Sequence, residues 1–142
     1  MASCTFFGHR DCPDTIRPAL KQALTGLITR QGVTSFYVGN QGRFDALALS
    51  VLRELKRMYP QIDYRVVLAY FPTTAGQLPS AETIFPEGIE RVPPRFAIAW
   101  RNRWMLKRCG YVVSYVTRST GGAAQFTRSA VRQGKTVLSL AK

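Results

Sequence analysis

Ser35-Phe36-Tyr37-Val38-Gly39-Asn40-Gln41-Gly42-Arg43-Phe44-Asp45 is the stretch that decides the fold class. Four β-prone residues, Ser35–Val38, stop at Gly39, and a polar loop with a second glycine follows. From Asp45 to Met58 the apolar residues Leu47, Val51, Leu52, Leu55 and Met58 recur at the spacing of one helix face. Arg53, Glu54, Lys56 and Arg57 fall off that face, and Pro60 stops the helix. A strand that turns through a glycine loop into an amphipathic helix is the building unit of an α/β sheet.

The same alternation extends in both directions. Upstream, Ser3–Phe7 reads as a short strand ending at Gly8. Asp14 is placed to cap a helix running to about Arg30, with Pro18 in its first turn and Gly32 at its end. Its apolar face is Ile16, Leu20, Ala23, Leu24, Leu27 and Ile28. Downstream, Tyr64–Tyr70 is nearly all apolar and suits a strand covered on both faces. Residues 71–94 hold five of the eight prolines, with Gly76 and Gly88, and predict a long excursion containing one short strand, Thr83–Phe85. It reads equally as a binding loop and as a surface insertion. A helix is expected from about Arg95 to Arg108, with Phe96, Trp100 and Trp104 at i, i+4, i+8 facing the core. Tyr111–Val116 is a strand, Gly121–Gly122 opens a helix to Gln133, and Thr136–Leu140 is the last strand. The order predicts one domain over residues 1–142. Its fold is α/β, a doubly wound, mostly parallel sheet of about five or six strands with helices on both faces.

Composition narrows the function classes. With 46% hydrophobic and 20% charged residues in 142, the chain can bury a core, which excludes disorder for most of it. No apolar run approaches the ~18 residues of a membrane span. Met1 to Arg10 lacks the charged-then-apolar pattern of a secretory signal. The odd cysteine set, Cys4, Cys12 and Cys109, points to a reducing, cytoplasmic setting. With no CxxC pair and one histidine, neither a metal site nor a cofactor is expected. The net charge of +12 favours anionic partners: nucleic acid, nucleotides or other phosphates.

In doubly wound sheets ligands bind beyond the carboxyl ends of the strands. Three strand ends here carry glycine with polar or cationic residues: Gly8-His9-Arg10, Gly39-Asn40-Gln41, and Arg118-Ser119-Thr120-Gly121-Gly122-Ala123. None is a dinucleotide GxGxxG or a GxxxxGK[ST] phosphate loop. Glycines allow close backbone approach, and the helix starts at Asp45 and Gly122 turn N–H groups toward an anion. Arg10 can fork onto a phosphate. His9 can donate a proton or meet a phosphate. Asp45 reads either as a helix N-cap or as a carboxylate for ribose hydroxyls or acid/base work. Arg101 and Met105 share a helix face, with Asn102 beside them, while Arg103 suits a solvated face.

Taken together these motifs resemble the SLOG superfamily of Rossmann-like domains, in particular its small stand-alone bacterial and phage branch. The matching pieces are Gly8-His9-Arg10, the loop Gly39 to Asp45 running into its helix, Arg101-Asn102-Arg103-Trp104-Met105, and Gly121-Gly122-Ala123-Ala124 followed by Gly134-Lys135-Thr136-Val137. They cover nearly the whole chain in order. The resemblance implies a Rossmann-like fold and a nucleotide-type ligand in the cleft. Relatives in that superfamily include phosphoribohydrolases, sensors of ADP-ribose-derived signals and a DNA-processing protein that binds single strands. The phosphoribohydrolase loop PGG-x-GT-x-x-E is altered here: Thr120 replaces the proline, Ala124-Gln125 the GT, and Arg128 the glutamate. That departure argues against the same hydrolysis.

The first expectation is therefore a binding module for a phosphate-bearing nucleotide or ADP-ribose-type molecule. Its ligand set is Gly8, His9, Arg10, Gly39, Asn40, Gln41, Asp45, Arg101, Asn102, Met105, Arg118, Thr120, Gly121, Gly122 and Ala123. The second is an N-glycosidic hydrolase with Asp45 as the catalytic carboxylate. The third is a single-stranded nucleic-acid binder using Arg95, Arg101, Arg103, Lys107 and Arg108 beside Trp100 and Trp104. A leftover apolar helix face would allow a homodimer or higher oligomer.

Overall fold

The computed structural model describes residues 2–70 and 80–141. Six strands form one sheet: β1 (Ala2–Gly8), β2 (Val33–Val38), β3 (Asp63–Val67), β4 (Thr83–Ile84), β5 (Tyr111–Tyr115) and β6 (Thr136–Ser139). Four helices connect them: α1 (Arg17–Arg30), α2 (Arg43–Met58), α3 (Pro94–Arg108) and α4 (Gly122–Arg132). The strand order is β4-β3-β2-β1-β5-β6, and every neighbouring pair is parallel. The chain winds outward from β1 to β4, then returns through α3 to lay β5 on the other side of β1. The loops leaving β1 and β5 therefore diverge, which opens a crevice at that switch point.

Alternation along the strands divides the core. In β1, Phe6 joins Phe36, Leu20, Leu24, Leu52 and Leu55 under α1 and α2. Phe7 joins Val67, Val112, Met105, Leu106, Phe126 and Ala130 under α3 and α4. Phe6 stacks on Phe36 at 6.4 Å between ring centroids, and Phe7 on Phe126 at 5.5 Å. Burying each such leucine or phenylalanine stabilises the fold by about 1.5–3 kcal/mol. Both faces of the sheet are thus covered, as an all-parallel sheet requires.

Several expected boundaries move, each for a physical reason. The helix after Gly39 begins at Arg43, with Gly42 at φ +91° before it, so Asp45 lies inside the first turn and caps nothing. Asp14 also caps no helix. It starts a 3-10 turn, Asp14–Ile16, and accepts Arg43 Nε at 2.7 Å instead. The third strand ends at Val67, and Tyr64 and Arg65 are only half-buried, because just the two-residue β4 lies outside it. The largest correction concerns α3. Ala97, Arg101, Met105 and Leu106 are its buried residues, while Phe96 is 49% exposed and Trp100 and Trp104 are half-buried. The aromatic stripe is not the core face. The expected excursion contains β4 as Thr83–Ile84, and α3 begins at Pro94; its part at residues 71–79 lies outside the described residues. No helix among the described residues is long and apolar enough to cross a membrane.

Candidate functional site

A cleft of about 220 Å³ opens at the carboxyl ends of the central strands. Phe6, Phe7, Gly8 and Arg10 come from β1 and its loop, Gly39, Gln41 and Asp45 from the second loop and α2, and Gly122 and Ala123 from the start of α4. Ile98, Arg101, Asn102 and Met105 close it from α3.

Arg101 is the centre of the arrangement. It is 2% exposed, yet no described carboxylate pairs with it. Instead its guanidinium donates from Nη1 to the Val67 carbonyl (2.9 Å), from Nη2 to Gln41 Oε1 (2.6 Å), and from Nε to Asn102 Oδ1 (2.9 Å). Three of its five N–H groups are held by neutral acceptors, which fixes the plane of the fork without a direct ion pair among the described residues. Burial draws its pKa below the ordinary arginine value, and the nearby Asp45 opposes that shift.

Asp45 faces Arg101 across Gly39. A Cβ at Gly39 would lie 2.8 Å from Asp45 Oδ2 and 2.9 Å from Arg101 Cζ, so only glycine lets the two approach there. Asp45 accepts the Gln41 N–H at 2.9 Å. Burial pushes its carboxyl up to about 6, against the lowering effects of that hydrogen bond and of Arg101 and Arg10. A carboxyl so poised exchanges its proton near neutral pH. Gly42 supports the loop in another way. Its left-handed φ brings the backbone against Arg10, where a Cβ would lie 2.6 Å from the Arg10 Cα, and the Arg43 N–H donates to the Arg10 carbonyl at 2.8 Å.

The opposite wall is the start of α4. Gly121 precedes it at φ +95°, no side chain caps it, and no acidic residue occupies its first turn. Its first N–H groups and positive helix end border the cleft.

The expected ligand residues divide into two groups. Gly8, Arg10, Gly39, Gln41, Asp45, Arg101, Asn102, Met105, Gly122 and Ala123 line the cleft. His9, Asn40, Arg118, Thr120 and Gly121 do not. His9 is buried, with Nε2 accepting the Thr117 N–H at 2.9 Å, so it braces the loop after β5. Burial first, then Arg118, lowers its pKa, with Asp11 opposing; the acceptor nitrogen stays unprotonated. Arg118 is exposed and pairs with Asp11 at 3.1 Å, and Arg43 pairs with Asp14. Arg10 and Arg101 are thus the cations that line the cleft outside these ion pairs. Phe6, Phe7 and Ile98 line the cleft without having been expected there. Ile98 could have been found three residues before Arg101 on its helix; the two phenylalanines read only as strand core.

No family model matches the chain, and no curated protein matches it. Among solved structures it is similar to the X-ray structure of DNA processing protein A from Streptococcus pneumoniae, with a TM-score of 0.72. The likeness is one of fold. Sequence identity is 15%, and the match covers 98% of this chain and 50% of that one. The chain thus spans half the length of the structure that it resembles. At this identity the α/β architecture is shared, and side-chain roles do not transfer.

Proposed function

We propose that these 142 residues form a single cytoplasmic domain that binds the phosphoribosyl end of a nucleotide-type molecule in the strand-end cleft. The observation that carries this reading is Arg101: a buried guanidinium at the cleft wall, braced by three neutral acceptors and in no direct ion pair among the described residues. The N–H groups at Gly122 and Ala123 supply a second phosphate contact from the opposite wall. Arg10 adds charge at the mouth. Asp45 and the Gln41 side chain would take sugar hydroxyls. The volume supports a part of a ligand rather than a whole dinucleotide, being below the ~300 Å³ at which drug-sized pockets begin. Phe6, Phe7 and Ile98 give the sugar face an apolar wall.

Isothermal titration with ribose 5-phosphate, AMP, ADP-ribose and adenosine tests the reading. Phosphorylated compounds are expected to bind and adenosine to bind at least tenfold more weakly. Equal affinity for adenosine and AMP, or no binding by any of them at millimolar concentration, would reject it.

A second reading, N-glycosidic cleavage, is favoured by one feature: a carboxyl at the cleft wall, Asp45, that burial pushes up to about 6. It would stabilise an oxocarbenium-like transition state. Asp45 is also the sole acidic residue lining the cleft among the described residues, whereas glycoside hydrolysis ordinarily uses two carboxylates. Binding is therefore the stronger reading. Release of free base from AMP or ADP-ribose, abolished by Asp45→Asn, would establish hydrolysis.

A further inference from the structure

The net charge is distributed unevenly along the chain. Residues 91–142 contain eleven of the twenty lysines and arginines and none of the eight carboxylates. Ion pairs among the described residues engage Arg17, Lys21, Arg43, Arg53, Arg65 and Arg118, with Arg17 and Lys21 sharing Glu54. Among the described residues, none of the cations of α3, α4 and the turn before β6 forms an ion pair.

Four of them gather at one place. A groove of about 410 Å³ runs between α3 and α4, lined by Arg103 and Lys107 on one bank and Arg132 and Lys135 on the other. Gln125, Ser129 and Gln133 add neutral hydrogen-bonding groups, and the floor is Leu106 and Phe126. Arg103 and Lys107 are four residues apart on one helix, a like-charge spacing that destabilises an isolated helix. Arg108 lies outside the groove lining, with its guanidinium over the Trp104 ring at 3.7 Å, and that ring packs edge-on against Tyr37. The groove is separate from the strand-end cleft: α3 turns Arg101 and Met105 to one and Arg103 and Lys107 to the other.

We propose that this α3–α4 groove is a second binding site, which takes the phosphate backbone of a single-stranded nucleic acid. Four cations on two banks match a chain of repeated phosphates better than one compact anion. Neutral amides and a hydroxyl between them suit sugar and base edges. The site reads no sequence, because backbone contacts carry no base information.

The test is fluorescence anisotropy with a labelled twenty-nucleotide thymidine strand, from 50 to 200 mM salt. Four phosphate contacts on a single strand give a log–log salt slope of about −2.8, or roughly a fiftyfold loss of affinity over that range. The combined variant Arg103→Gln, Lys107→Gln, Arg132→Gln, Lys135→Gln should bind at least tenfold more weakly at 50 mM and lose most of the slope. Its fold is checked by circular dichroism and by AMP titration of the cleft. Arg101→Gln, which disables the cleft, should leave strand binding within twofold, so the two sites fail independently. The proposal is overturned if the wild type does not bind the strand at 50 mM salt or if the combined variant binds it unchanged. It is also overturned if Arg101→Gln abolishes strand binding, or if an oligoglutamate peptide binds the groove as tightly as the strand, which would make it a site for acidic protein segments.

Discussion

Replacing Asp45 by asparagine should stabilise the empty protein at neutral pH and do nothing of the kind in acid. The substitution keeps an oxygen to accept the Gln41 N–H and removes only the charge. Burial raises the Asp45 carboxyl from 3.8 to about 6. In an acid whose folded pKa is raised, folding takes up a proton between the unfolded and folded values. Stability is then present below pH 4, is lost as pH rises through 6, and stays lost above it. At 1.36 kcal/mol per unit, a shift of this size makes the ionised carboxylate cost about 3 kcal/mol at pH 7. Water entering from the cleft reduces that figure, so about 2–3 kcal/mol is the working range. Urea unfolding of both proteins between pH 4 and 7.5 measures it directly. All other titrating groups, His9 included, are common to the two chains and cancel in the difference. The variant should gain on the wild type as pH rises from 4 to 6, then hold its lead. A difference that is flat across this range, or one in which the wild type gains, would refute the burial of a charge at Asp45.

Other outcomes follow from the same geometry. Arg101→Lys should weaken AMP binding at least tenfold by calorimetry, because an ammonium cannot keep the planar contacts to Val67, Gln41 and Asn102 together. Gly39→Ala forces a Cβ to within 3.0 Å of both Asp45 and Arg101; a loss of about 1–3 kcal/mol in urea unfolding is expected, with weaker AMP binding. His9 is held neutral with its pKa lowered, so its contribution is complete above pH 6.5 and falls away as pH drops below that value. The Thr117 amide, which donates to His9, should then exchange with solvent faster, relative to the β5 amides, as the pH falls below 6.5, once intrinsic exchange rates are divided out. An unchanged relative protection factor would show that the imidazole does not hold this loop.

The order of elements was legible in the chain because periodicity, glycines and prolines act over a few residues. The helix after Gly39 shows this best: its stripe of Leu47, Val51, Leu52 and Leu55 is buried as the spacing predicts. Boundaries were less legible. Asp14 and Asp45 both look like helix caps in sequence, but a cap is defined by backbone geometry, and each carboxylate found a different partner.

The cleft was half legible. Glycines at strand ends and the Arg101–Met105 spacing pointed to it, and ten of the fifteen expected residues line it. His9 and Arg118 carry the right chemistry but spend it on Thr117 and Asp11, more than a hundred residues away in the chain. Such partners arise only when β1 and β5 pair.

By itself, then, the sequence determined an α/β chain with glycine loops at its strand ends and a strongly basic second half. The tertiary structure alone decided which side of α3 faces inward. Hydrophobicity favours the stripe Phe96, Trp100 and Trp104, yet Ala97, Arg101 and Met105 are buried instead. Burying a guanidinium without compensation costs far more than exposing an aromatic ring. Val67, Gln41 and Asn102 supply the acceptors that remove most of that cost, and two of the three reach Arg101 from strand-end positions that only the folded sheet brings beside it.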